Sequence, residues 1–367
     1  MKYLFINTVA GSGSTGRIAA DKCRELQDQG HQCVLAYGRW KANCEDIETY
    51  KIGTALDYQL HGIYTRLFDK HGFGSKAATR NFLKWVDKYN PDIIWLHNIH
   101  GYYLNIELLF DYLKKADKKI VWTLHDCWSF TGHCTYFTYA ECDKWRTGCY
   151  QCVQKKRYPK SVVFDNSKEN YERKHKSFCG IKDMTLIVPS QWLADLVKES
   201  FLREYPIEIV RNAIDRSTFK PTIGNFRSKY GLENKKILLG VASKWEERKG
   251  LSDYLKLAEM LSDDYKIVLV GLNKKQMKNL PYNVLGLAKT EDAEQLAEIY
   301  TSADLFVNLS YEENYPTVNL EAQACGTPVI AYDTGGMEET LDERNNKNLV
   351  NVGILTEVKK KIEMLLP

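Results

Sequence analysis

Two carboxylates separated by seven residues, Glu313 and Glu321, stand in the run Ser310-Tyr311-Glu312-Glu313-Asn314-Tyr315-Pro316-Thr317-Val318-Asn319-Leu320-Glu321-Ala322. Pro316 suits the first position of a helix, where its missing N–H would be unpaired in any case. Glu313 then falls in a turn and Glu321 about a turn and a half inside the helix. Both can reach a ligand held over the helix N-terminus. Alone, such a spacing usually marks a solvated pair, but here Ala324-Cys325-Gly326-Thr327-Pro328-Val329 and Gly335-Gly336 follow it. A second turn, Gly11-Ser12-Gly13-Ser14-Thr15-Gly16-Arg17, opens the first helical stretch. Glycines there let a ligand approach the backbone, and the helix start offers free N–H groups to an anion. A plain tight turn is the alternative. A dinucleotide site would also need an acid after the second strand, where the chain has Tyr37-Gly38-Arg39-Trp40 instead.

Histidines form the third group: His125 and Asp126 in Thr123-Leu124-His125-Asp126-Cys127-Trp128, and His97 and His100 in His97-Asn98-Ile99-His100. At strand tips they offer polar or acid–base contacts, although histidines there more often serve packing. The fourth group is Cys134, Cys142, Cys149 and Cys152, close together in sequence and ending in a Cys-x2-Cys pair. A structural tetrathiolate zinc site, buried unliganded thiols and disulfides are all open readings. Lys155, Lys156, Arg157 and Lys160, with Trp145, Tyr150 and Tyr158 nearby, form either a solvated basic face or a surface for an anionic acceptor or lipid headgroups.

These groups need strands and helices to carry them. Short apolar runs stand at 3–8, 32–37, 92–97, 120–125 and 184–189, then at 236–242, 265–271, 304–310 and 327–332, and many lack polar alternation. That pattern belongs to strands covered on both faces of a parallel sheet. Amphipathic stretches at 16–29, 105–115, 191–200, 251–261 and 292–302 alternate with them. The expected fold class is α/β, two Rossmann-like doubly wound domains facing across a cleft. We expect a first domain over 1–205, with a cysteine-rich insertion near 132–160, and a second over 206–367, joined through a linker at 205–225.

The chain has 367 residues, 44% hydrophobic and 27% charged, with a formal charge of +4. This balance excludes a disordered chain and a disulfide miniprotein. Residues 1–180 carry 27 Lys and Arg against 19 Asp and Glu, and residues 181–367 carry 24 against 28. No run approaches the roughly 20 apolar residues of a membrane helix. Met1–Ile6 is too short for a signal core, so a cytoplasmic protein with reduced cysteines is expected.

The ordered set of motifs resembles the retaining glycosyltransferases of family 4, of GT-B fold and bacterial surface-polysaccharide type. Gly11–Gly16 resembles that family's glycine loop, and Arg211-Asn212-Ala213-Ile214-Asp215 its domain junction. Ser243-Lys244-Trp245-Glu246-Glu247-Arg248-Lys249-Gly250 resembles its phosphate loop, and Glu313–Glu321 with Gly326-Thr327-Pro328-Val329 its paired-glutamate element. The resemblance implies that Lys244 and Lys249 neutralise a nucleoside diphosphate in place of a catalytic metal. It implies that Glu321 binds the ribose, and that Glu313 with the N–H groups of Asn314 and Tyr315 holds the sugar. Gly13, Gly16, Gly271 and Leu287 would border the donor, His125 would contact it, and His97 and His100 would serve the acceptor. Asp126 is the one obvious candidate for a nucleophile, although an internal-return route needs none. A UDP- or GDP-sugar donor, a glycan or glycolipid acceptor and peripheral contact with the inner membrane face are the implied partners, without nucleic acid; zinc would be structural only. A GT-B sugar-nucleotide epimerase is one alternative. A zinc-stabilised nucleic-acid-binding protein is another, and it leaves the motifs at 243–250 and 313–321 unexplained.

Overall fold

The computed structural model describes all 367 residues. They form two compact units, Met1–Arg211 and Asn212–Pro367. The boundary lies past the expected residue 205 because Ile207–Ile209 still pairs with the first unit's sheet.

In the first unit β1 (Lys2–Asn7), β2 (Gln32–Tyr37), β3 (Glu48–Lys51), β4 (Ile93–Leu96), β5 (Lys119–Thr123), β6 (Met184–Val188) and β7 (Ile207–Ile209) form one sheet in the order β3-β2-β1-β4-β5-β6-β7. Every pairing is parallel. In the second unit β8 (Lys236–Val241), β9 (Tyr265–Val270), β10 (Val284–Leu287), β11 (Leu305–Asn308), β12 (Val329–Tyr332) and β13 (Leu349–Val350) give a second parallel sheet in the order β10-β9-β8-β11-β12-β13. The apolar runs are buried because helices cover both faces: Leu4, Ile6 and Val34 face one core, and Tyr3, Phe5 and Leu35 the other. The second unit repeats this with Leu238 and Leu269 on one face and Ile237 and Val268 on the other.

In each sheet the chain builds outward from a central strand, then crosses back to the other side of it. The reversal falls between β1 and β4 in the first unit and between β8 and β11 in the second. Loops leaving two such strands diverge to opposite faces and open a crevice at their carboxyl ends, where α/β proteins bind ligands. The histidine motif after β4, the glycine turn after β1, the lysine loop after β8 and the glutamate run after β11 all leave from those ends.

Candidate active site

The loop after β8 is held against the loop after β11 by backbone. Gly250 adopts φ +70°, and a β-carbon there would lie 2.0 Å from the Leu309 carbonyl oxygen. The Tyr311 N–H donates to the Arg248 carbonyl at 2.8 Å, and the Arg248 guanidinium to the Glu312 carbonyl at 3.2 Å. This registry brings the Lys249 ammonium into an ion pair with Glu313, whose side chain is only 9% exposed. Burial alone would raise the Glu313 pKa, yet the charges of Lys249 and Arg248 hold its carboxyl below the ordinary range. Burial lowers the Lys249 pKa, with Glu313 opposing the shift. Gly335 closes the other side, since a β-carbon there would stand 1.8 Å from the Glu313 carbonyl. Arg248 went unread in the sequence; the basic doublet Arg248-Lys249 was its signal.

The remaining expected donor residues divide. Gly271, at φ +95°, packs against the Ala242 carbonyl, and its N–H donates to the Leu287 carbonyl at 3.0 Å. The ends of β8, β9 and β10 therefore meet at Gly271 and Leu287. Asn314 and Tyr315 are buried beside Glu313, and the Asn212 amide donates to the Tyr315 carbonyl at 3.3 Å. Lys244 does not join them: its side chain is 78% exposed and pairs with Glu246. Sitting five residues before Lys249 in an irregular loop, it has no element to turn it inward. The helix Thr317–Ala324 starts one residue later than expected, with Pro316 as its extended cap. Glu321, on that helix, is buried and accepts a hydrogen bond from the Tyr300 hydroxyl at 3.0 Å. Asn308, at the end of β11, donates to Asn319 at 2.9 Å and ties that helix to the strand.

In the first unit the switch-point loops interlock. Asn7 accepts from the Asn98 N–H at 3.1 Å, and the Thr8 hydroxyl donates to the Asn98 carbonyl at 2.9 Å. Gly13 opens the helix Gly13–Asp28 at φ +65° with open space beside it, whereas Gly16 packs on Val9. His97 Nδ1 and His125 Nε2 lie 3.0 Å apart, and the indole of Trp122 donates to the His97 carbonyl at 3.1 Å. Burial lowers the His125 pKa to about 4 and that of His97 well below the imidazole range. His100 Nε2 sits 3.0 Å from Asp126 Oδ2, while Asp126 Oδ1 accepts the Trp128 N–H at 2.9 Å. Burial opposes ionisation of Asp126, but His100 and that N–H outweigh it and hold its pKa below the ordinary range. The Tyr158 hydroxyl reaches His100 Nδ1 at 3.3 Å.

Lys174 was invisible in the sequence. Fully buried on the helix Ser167–Phe178, its ammonium donates to the Trp128 and Thr131 carbonyls at 2.7 and 2.9 Å and lies over the Trp128 ring. It thereby pins the turn that follows His125 and Asp126. Burial lowers its pKa to about 7.

All ten cysteines are free thiols. A tetrathiolate site is one expectation for Cys134, Cys142, Cys149 and Cys152; no group of three or more His, Cys, Asp or Glu side chains is arranged to hold a metal ion. Cys134 and Cys152 are hydrogen-bonded to each other, which pushes Cys134 up and Cys152 down to about 7. Cys149 Sγ accepts the Gly132 N–H at 3.1 Å, and Cys142 packs against the first unit's core. No helix is long and apolar enough to cross a membrane.

Comparison with known proteins agrees with this geometry. Residues 15–218 match the Glycosyltransferase Family 4 model, and residues 222–367 match Glycosyl transferases group 1. WcaC of Escherichia coli K12, named as a colanic acid biosynthesis glycosyl transferase, is 25% identical over 97% of this chain and 89% of its own length. Sucrose-phosphate synthase of Thermosynechococcus elongatus superposes over 100% of this chain and 89% of that one, with a TM-score of 0.74 at 17% identity. Anabaena HepE in complex with UDP-glucose superposes over 99% and 89%, with a TM-score of 0.68 at 15% identity. The chain belongs to glycosyltransferase family 4 and is a glycosyltransferase of GT-B fold.

Proposed function

We propose that this enzyme moves a sugar, with retention of configuration, from a nucleoside-diphosphate sugar to a hydroxyl of a lipid-linked glycan in surface-polysaccharide synthesis, at the cytoplasmic membrane face. The observation that carries the reading is the buried Lys249–Glu313 pair at the second sheet's switch point. As the C1–O bond to the diphosphate breaks, negative charge grows on the departing phosphate, and Lys249 with Arg248 stabilises it there. Glu313 accepts hydrogen bonds from the sugar hydroxyls, with Asn314 and Tyr315 beside it. Glu321, oriented by Tyr300, takes the ribose. UDP is the favoured nucleotide, since HepE binds UDP-glucose, and the name of WcaC supports a polysaccharide acceptor.

Retention follows by internal return. The acceptor oxygen bonds to C1 on the face the diphosphate leaves, and its proton passes to the departing phosphate oxygen. Double displacement would need a carboxylate nucleophile beside C1, whereas internal return needs none. His125, kept neutral by burial, serves as a polar contact. The test is a panel of UDP- and GDP-sugars with NMR of the product anomer. An α-linked donor giving an α-linked product is expected; an inverted product, or undiminished turnover in Lys249→Ala, overturns the reading.

A further inference from the structure

The helix Ala55–Phe68 is built inside out. Its buried residues are His61 and Thr65, whereas Leu56, Leu60 and Ile63 are 62, 56 and 53% exposed, and Tyr64, Leu67 and Phe68 are exposed with them. His61 faces inward because its Nε2 accepts the N–H groups of Gly72 and Gly74 at 3.2 and 3.1 Å. The outward stripe therefore follows from the inner face being polar and satisfied.

The stripe is widened by a second segment. The Val162 N–H donates to the Arg66 carbonyl at 2.8 Å and the Phe164 N–H to the Leu67 carbonyl at 3.2 Å, which lays Val162–Phe164 along the helix C-terminus. All three side chains are exposed, and the Phe164 ring stacks on Phe68 at 5.6 Å. A contiguous apolar face of this extent on one unit marks a docking surface.

Its rim is cationic at both ends. Beside the helix N-terminus, Arg39, Lys41 and Lys51 line a pocket of about 360 Å³ with Ala55 and Tyr58. Beside the C-terminus, Lys155 donates to the Val163 carbonyl at 3.2 Å, and Lys156, Arg157 and Lys160 continue that loop. The exposed face of the helix contributes one charge, Arg66. Large apolar side chains flanked by lysine and arginine fit one occupant best, the headgroup region of an anionic bilayer.

We infer that the helix Ala55–Phe68 and the segment Val162–Phe164 form a membrane-docking surface, with the apolar residues entering the headgroup–acyl boundary and the basic residues at both ends meeting anionic lipid. The inference deepens the lipid-linked acceptor reading, but its test does not depend on turnover. The intact chain is sedimented with vesicles of phosphatidylcholine alone or with phosphatidylglycerol. Partitioning onto the anionic vesicles is expected, weakened by raising salt from about 0.05 to about 0.5 M and reduced about tenfold or more in Leu60→Glu/Ile63→Glu. Lys155→Glu/Lys156→Glu/Lys160→Glu should lose the anionic preference while keeping the fold. Leu60→Ser/Ile63→Ser, whose thermal melt should match the parent, guards against a folding artefact. No partitioning of the parent chain, or equal partitioning of the variants, overturns the inference. So does a concentration-dependent dimer abolished by Leu60→Glu/Ile63→Glu while vesicle binding is unchanged, which would assign the face to a second copy. If vesicle binding fails while donor turnover persists, the docking surface is lost and the glycosyltransferase reading stands.

Discussion

The two switch-point crevices occupy the same place on two parallel sheets, yet they handle charge in opposite ways. The first largely excludes it: burial leaves His97 and His125 neutral, and the one ionised carboxylate, Asp126, is already satisfied by His100 and a backbone N–H. The second keeps it in, with Glu313 ionised against Lys249 and within the field of Arg248. The shared topology supplies a location; the loop residues decide whether it is a neutral hydrogen-bonding surface or a preorganised charge cluster. Proton placement in the first unit and charge placement in the second can be tested separately.

The largest effect falls on the charged crevice. Lys249→Ala should cut transfer by about a thousandfold and, by leaving Glu313 buried and unpaired, lower stability by about 3 kcal/mol. Lys249→Ala/Glu313→Ala should recover most of the stability and none of the turnover in paired melting and transfer assays. Recovery of both would mean that the pair is structural. In the first unit, the pH response should be the main signature. His125 and His61 have pKa values lowered to about 4 by burial, so between pH 6.5 and 4 the unfolded chain binds protons that the native one refuses. Their stabilisation is present above pH 6.5 and lost as pH falls towards 4, on the order of 3 kcal/mol for each. Glu313, shifted below the ordinary carboxylate range, loses its contribution only at lower pH. Hydrogen exchange followed through a pH titration should therefore show the first unit loosening before the second; the reverse order would erase the contrast.

Lys174→Met should cost about 2 kcal/mol by leaving the Trp128 and Thr131 carbonyls unpaired, seen as a lower Tm, with donor hydrolysis little changed. An equal loss of hydrolysis would give Lys174 a role in the donor site. The smallest effect is expected at Glu321. A double-mutant cycle with Tyr300→Phe and Glu321→Gln should give a coupling of about 1 kcal/mol, with the single Tyr300→Phe change raising KM for the donor more than it lowers kcat.

Much of this was legible in the chain. Nine of the strands announce themselves as short apolar runs, and the residues around Glu313 and Lys249 lie in recognisable loops at strand ends. Edge strands did not: Glu48–Lys51 and Ile207–Ile209 are short and half polar because only one side of an edge is paired and covered. The helix Ala55–Phe68 escaped because periodicity is read on the assumption that apolar residues face inward, and here they face out. The helix Ser167–Phe178 escaped because its sequence is strongly polar, although Lys174 is buried in it. Lys244 was placed at the phosphate by resemblance, and its ammonium here is exposed and paired with Glu246, a direction that position in a loop does not foretell. The four cysteines show the same limit, since their spacing carried no information on which thiol would bond to which partner.

One consequence of the Lys249–Glu313 pair concerns selectivity. A bare lysine in a buried crevice would capture any passing phosphate, and inorganic phosphate and free nucleotides abound wherever nucleotide sugars are made. Here every anion must first compete with a carboxylate already seated on the ammonium. On the donor roles proposed above for Lys249 and Glu313, the ligand best placed to win carries sugar hydroxyls that re-satisfy the displaced carboxylate while its diphosphate takes the lysine. On that proposal the crevice carries its own competitive inhibitor, discriminating against incomplete donors by what they fail to offer Glu313.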